Sequence, residues 1–278
     1  MTHKRFQTKY LVLNAVLILL SLAMIYPWLV ALSTSLKAPG ETIRNPGLIP
    51  QQVDLGKFIE VFVTAHFPQL ALNSIIITGA TVVLVLFFAS LAAYAFARLD
   101  FIFKEVLFFT LLTGLMLQTT ALMIPLYQVN VALHVLNTHI AMIGPYVALG
   151  LPFAVLILRG FFEGLPHELE DAAIIDGASR FRIYWSVMLP LTTPALITVG
   201  IFLGLASWND FLLPMLFTST ENMRTLPLGL LTFNQDNVVL RQEHRFALIV
   251  MMTLPIVILF LAMQRQFIQG LTAGAVKE

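Results

Sequence analysis

Residues 168–194, ELEDAAIIDGASRFRIYWSVMLPLTTP, set four carboxylates (Glu168, Glu170, Asp171, Asp176) and two arginines (Arg180, Arg182) between long apolar runs. A charge left at the middle of a membrane helix costs about 3 kcal/mol, so a polar segment in this setting must leave the bilayer or line something that needs it. Just upstream, Pro166 suits a first helical turn, and Glu168, Glu170 and Asp171 put negative charge near the positive end of the helix dipole. Leu165, Leu169, Ala172, Ala173 and Asp176 then recur at helical spacing. Gly177 permits a backbone conformation that other residues resist, and Ser179 can cap a second helix running through Phe181, Tyr184 and Trp185 to Leu189-Pro190. The segment therefore reads as a helix, a sharp glycine turn and a second helix lying along the membrane surface. Small residues on its exposed face would let another protein approach closely, as a socket accepts a knob.

The rest of the chain supplies the membrane. Of 278 residues, 58% are hydrophobic and only 11% charged, and the mean hydropathy is +0.86, well outside the makeup of a soluble domain. A net charge of +1 offers no basic excess for nucleic acid, and the absence of cysteine excludes disulfides, thiolate metal sites and thiol nucleophiles. Asp, Glu, Lys and Arg are missing from Tyr10 to Leu36, Val61 to Ala97, Val106 to Leu158, Ile183 to Asn209 and Phe246 to Gln264. A spanning helix needs about 20 apolar residues, so the interval from Val106 to Leu158 holds two and must turn, with polar Gln128, Asn130, His134 and Asn137 marking Pro125 to Asn137 as the place. The expectation is an all-α integral membrane protein with six transmembrane helices near 11–33, 72–97, 106–126, 139–160, 190–213 and 245–265, and a cytoplasmic helix-turn-helix loop at 163–190.

Orientation follows from the basic residues. With the N-terminus inside, Lys4, Arg5, Lys9, Arg98, Lys104, Arg159, Arg180, Arg182, Arg265 and Lys277 are cytoplasmic, against Lys37, Arg44, Lys57, Arg224, Arg241 and Arg245 outside. Both termini are then cytoplasmic, and the first apolar run, too long for a signal peptide core and without a clear cleavage site, is an uncleaved span. The 34–71 and 214–244 loops lie on the far side and are long enough to dock a partner, the second through Asn222, Arg224, Asn234, Gln235 and Asp236.

Asp171-Ala172-Ala173, Gly177 four residues on, and Val187-x-Leu189-Pro190 after nine more resemble the EAA loop of binding-protein-dependent ABC importer permeases. Asp171 and Val187 stand where that family has Glu and Ile, which keeps charge and shape. Asp176-Gly177-Ala178, Leu189 to Pro194, Trp208-Asn209-Asp210-Phe211, Gln264-Arg265 and the tail Gly270 to Lys277 are similar to the carbohydrate-uptake branch, and within it to the smaller permease of maltose-type systems. The resemblance covers essentially the whole chain.

It implies a membrane subunit that pairs with a second, related permease, a dimer of cytoplasmic nucleotide-binding ATPase subunits and an extracytoplasmic solute-binding protein, and that moves a sugar or glycoside. Glu170, Asp171, Ala172, Ala173, Asp176 and Gly177 would meet the ATPase. Gly274 and Lys277 would carry an extended tail between the two nucleotide-binding subunits, although a frayed terminus is the ordinary alternative. ATP and Mg would be bound by the partner subunits and no cofactor by this chain, which is not an enzyme. Its Gly56-Lys57 pair lacks the upstream glycine and the following hydroxyl of a phosphate cradle. Tyr127, Asn130, Tyr146, Trp208 and Asn209 are candidates to line a sugar path, and Asp210 reads as a structural helix-end acid. Ala89, Ser90, Ala92, Ala93 and Ala95 suit packing against the partner permease. An amphipathic helix resting on lipid headgroups competes for the 163–190 loop, but acids outnumber its bases. Two rival functions remain. A stand-alone secondary transporter would need a midplane charge and inverted repeats, and an intramembrane enzyme would need paired carboxylates, a Ser/His pair or HExxH, which His167-Glu168 does not open.

Overall fold

A computed structural model describes the backbone of residues 2–232 and 242–275, with side chains over 13–231, 242–262 and 264. The described residues are helical throughout, apart from loops and one isolated bridge between Lys37 and Val53. Four helices are long and apolar enough to cross a membrane, or up to six if each of two bent pairs counts as one span. The chain divides into two compact units, residues 1–67 with 230–255, and residues 68–229 with 256–278.

The first unit contains α1 (Thr2–Leu36), α2 (Glu41–Arg44), α3 (Gly56–Thr64) and the opening turns of α14 (Gln242–Ala275). Its small core gathers around Val61, Ala65, Ala247 and Leu248, and the Pro- and Gly-rich 37–55 segment joins α1 to α3. Buried charges organise that segment through hydrogen bonds with its backbone. Lys37, 2% exposed, donates to the carbonyls of Asn45 and Gly47 at 2.6 Å each, and Lys57, 1% exposed, donates to the Lys37 carbonyl. Glu41 accepts from the amides of Gln51 at 2.6 Å and Ala38 at 3.2 Å, and Glu243 from those of Gly40 and Thr42 at 3.1 and 3.0 Å. The Gln51 hydrogen bond leads in holding the Glu41 carboxyl below the ordinary carboxylate range, while burial lowers the Lys57 ammonium.

The second unit begins with α4 (Phe67–Arg98). After it come α5 (Lys104–Leu112), a 3-10 turn (Thr113–Met116), α6 (Thr119–Ala132) and α7 (His139–Glu163). Next are α8 (Glu168–Ile175), α9 (Arg180–Ile183), a π-helical turn (Tyr184–Met188), α10 (Leu189–Leu191) and α11 (Thr193–Asn209). Two short helices, α12 (Leu212–Phe217) and α13 (Leu226–Thr232), precede α14. Its larger core joins Val85, Ala89 and Ala93 of α4 to Ala154, Leu158 and Phe162 of α7 and to Val199 and Leu203 of α11. At Gly150 a Cβ would lie 3.0 Å from Leu203 and 3.3 Å from Val85, so a glycine is what lets three helices meet there.

Three expectations change. The region drawn as a span at 106–126 is bent by 103° between Met116 and Thr119, and α6 continues through Pro125 to Ala132, so the polar turn sits at 133–138 rather than 125–137. Asn130 is accordingly helical and buried, donating to the Ala141 carbonyl at 3.0 Å. Likewise, 190–213 is broken: α10 bends into α11 by 73° where Pro190 and Pro194 withhold two amide donors, and α11 ends at Asn209. Finally, Ala89, Ser90 and Ala93 are consumed inside the chain, at 0%, 2% and 0% exposure, while Ala92 and Ala95 stay half-buried.

Candidate functional site

The helix-glycine-helix motif folds for the reasons its residues suggest. Three acids occupy the first turn of α8, Gly177 adopts φ +77°, and the Ser179 hydroxyl accepts from the Arg182 amide at 3.4 Å. Asp171, Ala172, Asp176 and Gly177 are exposed, and Ala173 is half-buried against the core. The exposed tip also carries apolar groups: Ile175 is 85% exposed, Phe181 69% and Trp185 52%, the last two stacked with centroids 6.4 Å apart. From the sequence Phe181 and Trp185 were named only as positions along the second helix, and Ile175 not at all.

Glu170 faces the other way. It is buried and ion-paired with Arg98, the last residue of α4, with Nε 3.3 Å from its carboxylate. The Arg98 guanidinium, 1% exposed, also donates to the Phe162 carbonyl at 3.0 and 2.6 Å and to the Leu165 carbonyl, and lies 2.8 Å from His167 Nδ1. One side chain thus ties the end of α4 to the end of α7 and to the start of α8. A turn earlier Tyr94 packs against Phe162 and Tyr184, and a further turn back the Ser90 hydroxyl lies 2.8 Å from that of Tyr184. Ser90, Tyr94 and Arg98 recur every four residues, a polar stripe on one face of the apolar second half of α4. That spacing was the available signal for the clamp. Nearby, Arg159 joins Glu105 at 2.8 Å and Glu163 at 2.7 Å over the Phe108 ring, fastening α5 to the end of α7.

At the other end of α4, Asn73 is 1% exposed and fully used. It donates to the carbonyls of Asn222 and Arg224 at 2.7 and 2.9 Å and sits 3.0 Å from His139 Nε2. Ser74 accepts from the Leu226 amide at 2.9 Å, and Asn137 accepts from the amides of Ser219 and Thr220 at 3.1 Å each. The 218–226 segment is therefore a fixed base; Asn234, Gln235 and Asp236, proposed to probe a docking partner, lie outside the described residues.

Of the residues considered for a sugar path, Tyr146 and Asn209 line a cavity of about 600 Å3. Asn130 is spent on Ala141, Trp208 is buried in α11, and Tyr127, 40% exposed, is not on the cavity wall. Asp210 caps α12 through the Leu212 amide at 3.0 Å and accepts the Tyr146 hydroxyl at 2.7 Å, so the break after α11 is stapled to α7. Gly274 lies within α14 rather than in an extended tail, the preceding Gln- and Leu-containing turns carrying no proline, and Lys277 lies outside the described residues.

Residues 85–273, which contain this whole helix-glycine-helix segment, match the family described as binding-protein-dependent transport system inner membrane component. The chain belongs to that family. This permease is 38% identical over 262 residues to the arabinooligosaccharides transport system permease protein AraQ of Halalkalibacterium halodurans, covering 91% of each chain. It is 32% identical over 269 residues to the trehalose/maltose transport system permease protein MalG of Thermococcus litoralis, covering 96% of each. Its fold matches a chain of a bacterial ABC transporter involved in the import of the acidic polysaccharide alginate, with TM-score 0.82 at 24% identity over 95% of this chain and 98% of that one. The permease is a multi-pass membrane subunit of an ABC importer that works with ATPase and solute-binding components, which sets aside the stand-alone transporter.

Proposed function

We propose that the permease forms half of an import pathway for a sugar or glycoside, pairing with a second permease, with both termini cytoplasmic and the 163–190 loop seated in one subunit of an ATPase dimer. The observation that carries this is the α8–Gly177–α9 knob. Its outer face is small, acidic and apolar, while its inner face is bolted to α4 and α7 by Arg98. A knob fixed on one side and open on the other is what a rigid lever requires. ATP and Mg bound by the ATPase subunits drive closure of that dimer, and the loop turns this into rotation between inward-open and outward-open states. The solute-binding protein docks at the opposite end, over the 34–71 and 214–244 loops, and the C-terminal end of the chain, with Lys277, makes a second ATPase contact. Relatives named for arabinooligosaccharides and for trehalose and maltose support an oligosaccharide cargo.

The test is co-purification on a tagged chain followed by uptake in proteoliposomes. An ATPase and a second permease should accompany it, and labelled sugar should enter only with ATP and a binding protein. Since the chain has no cysteine, Ala172→Cys on the exposed face of α8 should crosslink to a cysteine on the ATPase surface. Sugar uptake by the isolated chain, or recovery of an intact importer in which Ala172→Cys never crosslinks, would overturn the proposal.

A further inference from the structure

The loop after α7 divides by charge at its glycine. Between Pro166 and Pro194 every acid, Glu168, Glu170, Asp171 and Asp176, lies before Gly177, and both arginines, Arg180 and Arg182, lie after it. The excess of acids that argues against a lipid-resting helix therefore belongs to the first arm alone. The second arm, formed by α9, the π-helical turn and α10, is one helical stretch from Arg180 to Leu191. Ile183, Tyr184 and Met188 make its buried face, while Arg180, Phe181, Arg182, Trp185, Ser186 and Leu191 are exposed. Neither arginine has an acidic partner among the described residues. Cations at the start of a helix oppose its dipole, so the two do not stand there for the helix's own stability.

Depth and direction place this arm at the membrane surface. The charge-free run of α4 ends at Ala97, so Arg98 marks where that helix leaves the hydrocarbon. The first arm hangs from Arg98 through Glu170, whereas Tyr184 packs on Tyr94 and meets the Ser90 hydroxyl, about 6 and 12 Å back along α4 toward the bilayer. The second arm thus lies one to two turns nearer the bilayer than the first. Its direction agrees: α11 enters the membrane at 73° to it, so Arg180–Leu191 runs close to the membrane plane. A helix at that depth, showing Phe and Trp beside Arg, has the makeup of an interfacial element.

We infer that Arg180–Leu191 rests on the inner leaflet, with Phe181 and Trp185 at the boundary between headgroups and acyl chains and Arg180 and Arg182 on the phosphates of anionic lipids. The inference goes beyond the import reading and rests on it only for the cytoplasmic placement of this loop. An anionic surface attracts the arginines and repels the acids of α8, which keeps that arm free for a protein. The ATPase then takes the acidic arm and the bilayer the basic, aromatic one. Gly177, at φ +77°, is the corner between a driven lever and its lipid-held pivot.

The test uses the complete importer in nanodiscs, with cysteine-free partner subunits, since this chain has no cysteine of its own. Bimane is attached to Ser186→Cys beside Trp185 or to Ala172→Cys on α8, both exposed positions. The lipid is phosphatidylcholine or phosphatidylglycerol carrying a nitroxide high on the acyl chain, and iodide is the aqueous quencher. Nitroxide lipid should quench bimane on Ser186→Cys and spare it on Ala172→Cys. Half-quenching should need about fivefold less nitroxide phosphatidylglycerol than phosphatidylcholine, the ratio that one arginine near an anionic surface supplies. Arg180→Gln/Arg182→Gln, which alters only exposed side chains, should bring the two lipids level. Quenching of Ser186→Cys by iodide but not by lipid overturns the anchor, and so does shielding from both that appears only with the ATPase bound. Equal lipid quenching at both positions overturns the division between the arms. Equal quenching by the two lipids with both arginines in place overturns the headgroup selection. Failure of the import reading shows separately, as absent ATP-driven uptake or no crosslink from Ala172→Cys, readouts in which nitroxide lipid takes no part.

Discussion

Arg98→Ala should disconnect the α8–Gly177–α9 loop from the membrane body without dismantling either. The substitution removes a guanidinium that is 1% exposed and serves the Phe162 and Leu165 carbonyls, His167 and Glu170 together. What remains is the Glu170 carboxylate, its side chain 8% exposed, with its charge uncompensated. Deleting one partner of a buried ion pair costs about 3–5 kcal/mol. The two carbonyls close the end of α7, where water can replace part of what they lose, so the lower figure of about 3 kcal/mol is the better one here. Driving a two-state transporter from 1:99 to 99:1 requires about 5.5 kcal/mol of differential interaction, so a loosened α8 forfeits roughly half of it. In the reconstituted importer, sugar-stimulated ATPase and uptake per ATP should fall by about two decades while basal ATPase and subunit composition persist. Arg98→Ala/Glu170→Ala should recover thermal stability relative to Arg98→Ala alone, with a coupling energy of about 0.5–3 kcal/mol, because the stranded carboxylate is gone. Wild-type uptake per ATP in Arg98→Ala, or equal melting temperatures for the single and double variants, would refute the reasoning.

Gly177→Leu meets open space but a backbone at φ +77°, so its cost is conformational, about 1–2 kcal/mol; the complex should assemble and lose sugar-stimulated ATPase, and unaltered stimulation would count against the knob. Asn73→Leu strands the Asn222 and Arg224 carbonyls at about 1–3 kcal/mol each, and should speed limited proteolysis within 218–226; an unchanged cleavage rate would show that Asn73 does not hold that segment. Because the Glu41 carboxyl is held below its usual range, its stabilisation of the 38–52 segment is complete above about pH 4.3 and disappears as pH falls through the lowered value. Protease sensitivity of that segment should therefore rise on acidification in the wild type and be high already at neutral pH in Glu41→Gln. Deletion of 272–278 should reduce coupled uptake, and normal uptake would remove the tail from the ATPase contact.

The helix-glycine-helix motif was legible because each of its parts is local: acids at a helix start, a glycine where the chain reverses, a serine three residues before the amide it caps. Apolar intervals free of charge likewise announced the long helices α1, α4, α7 and α14, whose lengths are set by the bilayer. The bends were missed. The 103° break after Met116 falls on Gln118-Thr119-Thr120, a polar run that the reading passed over, and a proline at position 125 proved compatible with a continuous helix, since one missing amide can be tolerated where neighbouring helices pack. Glu170 and Asp171 are adjacent acids on one short helix, and only the distant Arg98 decides that the first is internal and the second exposed. Ala89, Ser90 and Ala93 on α4 misled for the same reason: close approach was required there, but by α7 and α11 of the same chain.

What α4 connects gives the clamp its significance. Asn73 near its start fixes the 222–226 segment, and Arg98 at its end fixes α7 and α8; at 1.5 Å per residue the two lie about 38 Å apart, the full depth of a bilayer. Between them α4 has no proline, whereas α1, α6, α7 and α14 each carry at least one inside the helix. A helix that must bend during transport gains from a missing amide, and one that must carry displacement from end to end loses by it. The proline-free interval is thus the expected construction if one rigid element fastens the α8–Gly177–α9 knob and the base of the opposite loop alike. Coupling through such an element needs no relay of small side-chain shifts, because a tilt imposed at Arg98 is a tilt delivered at Asn73.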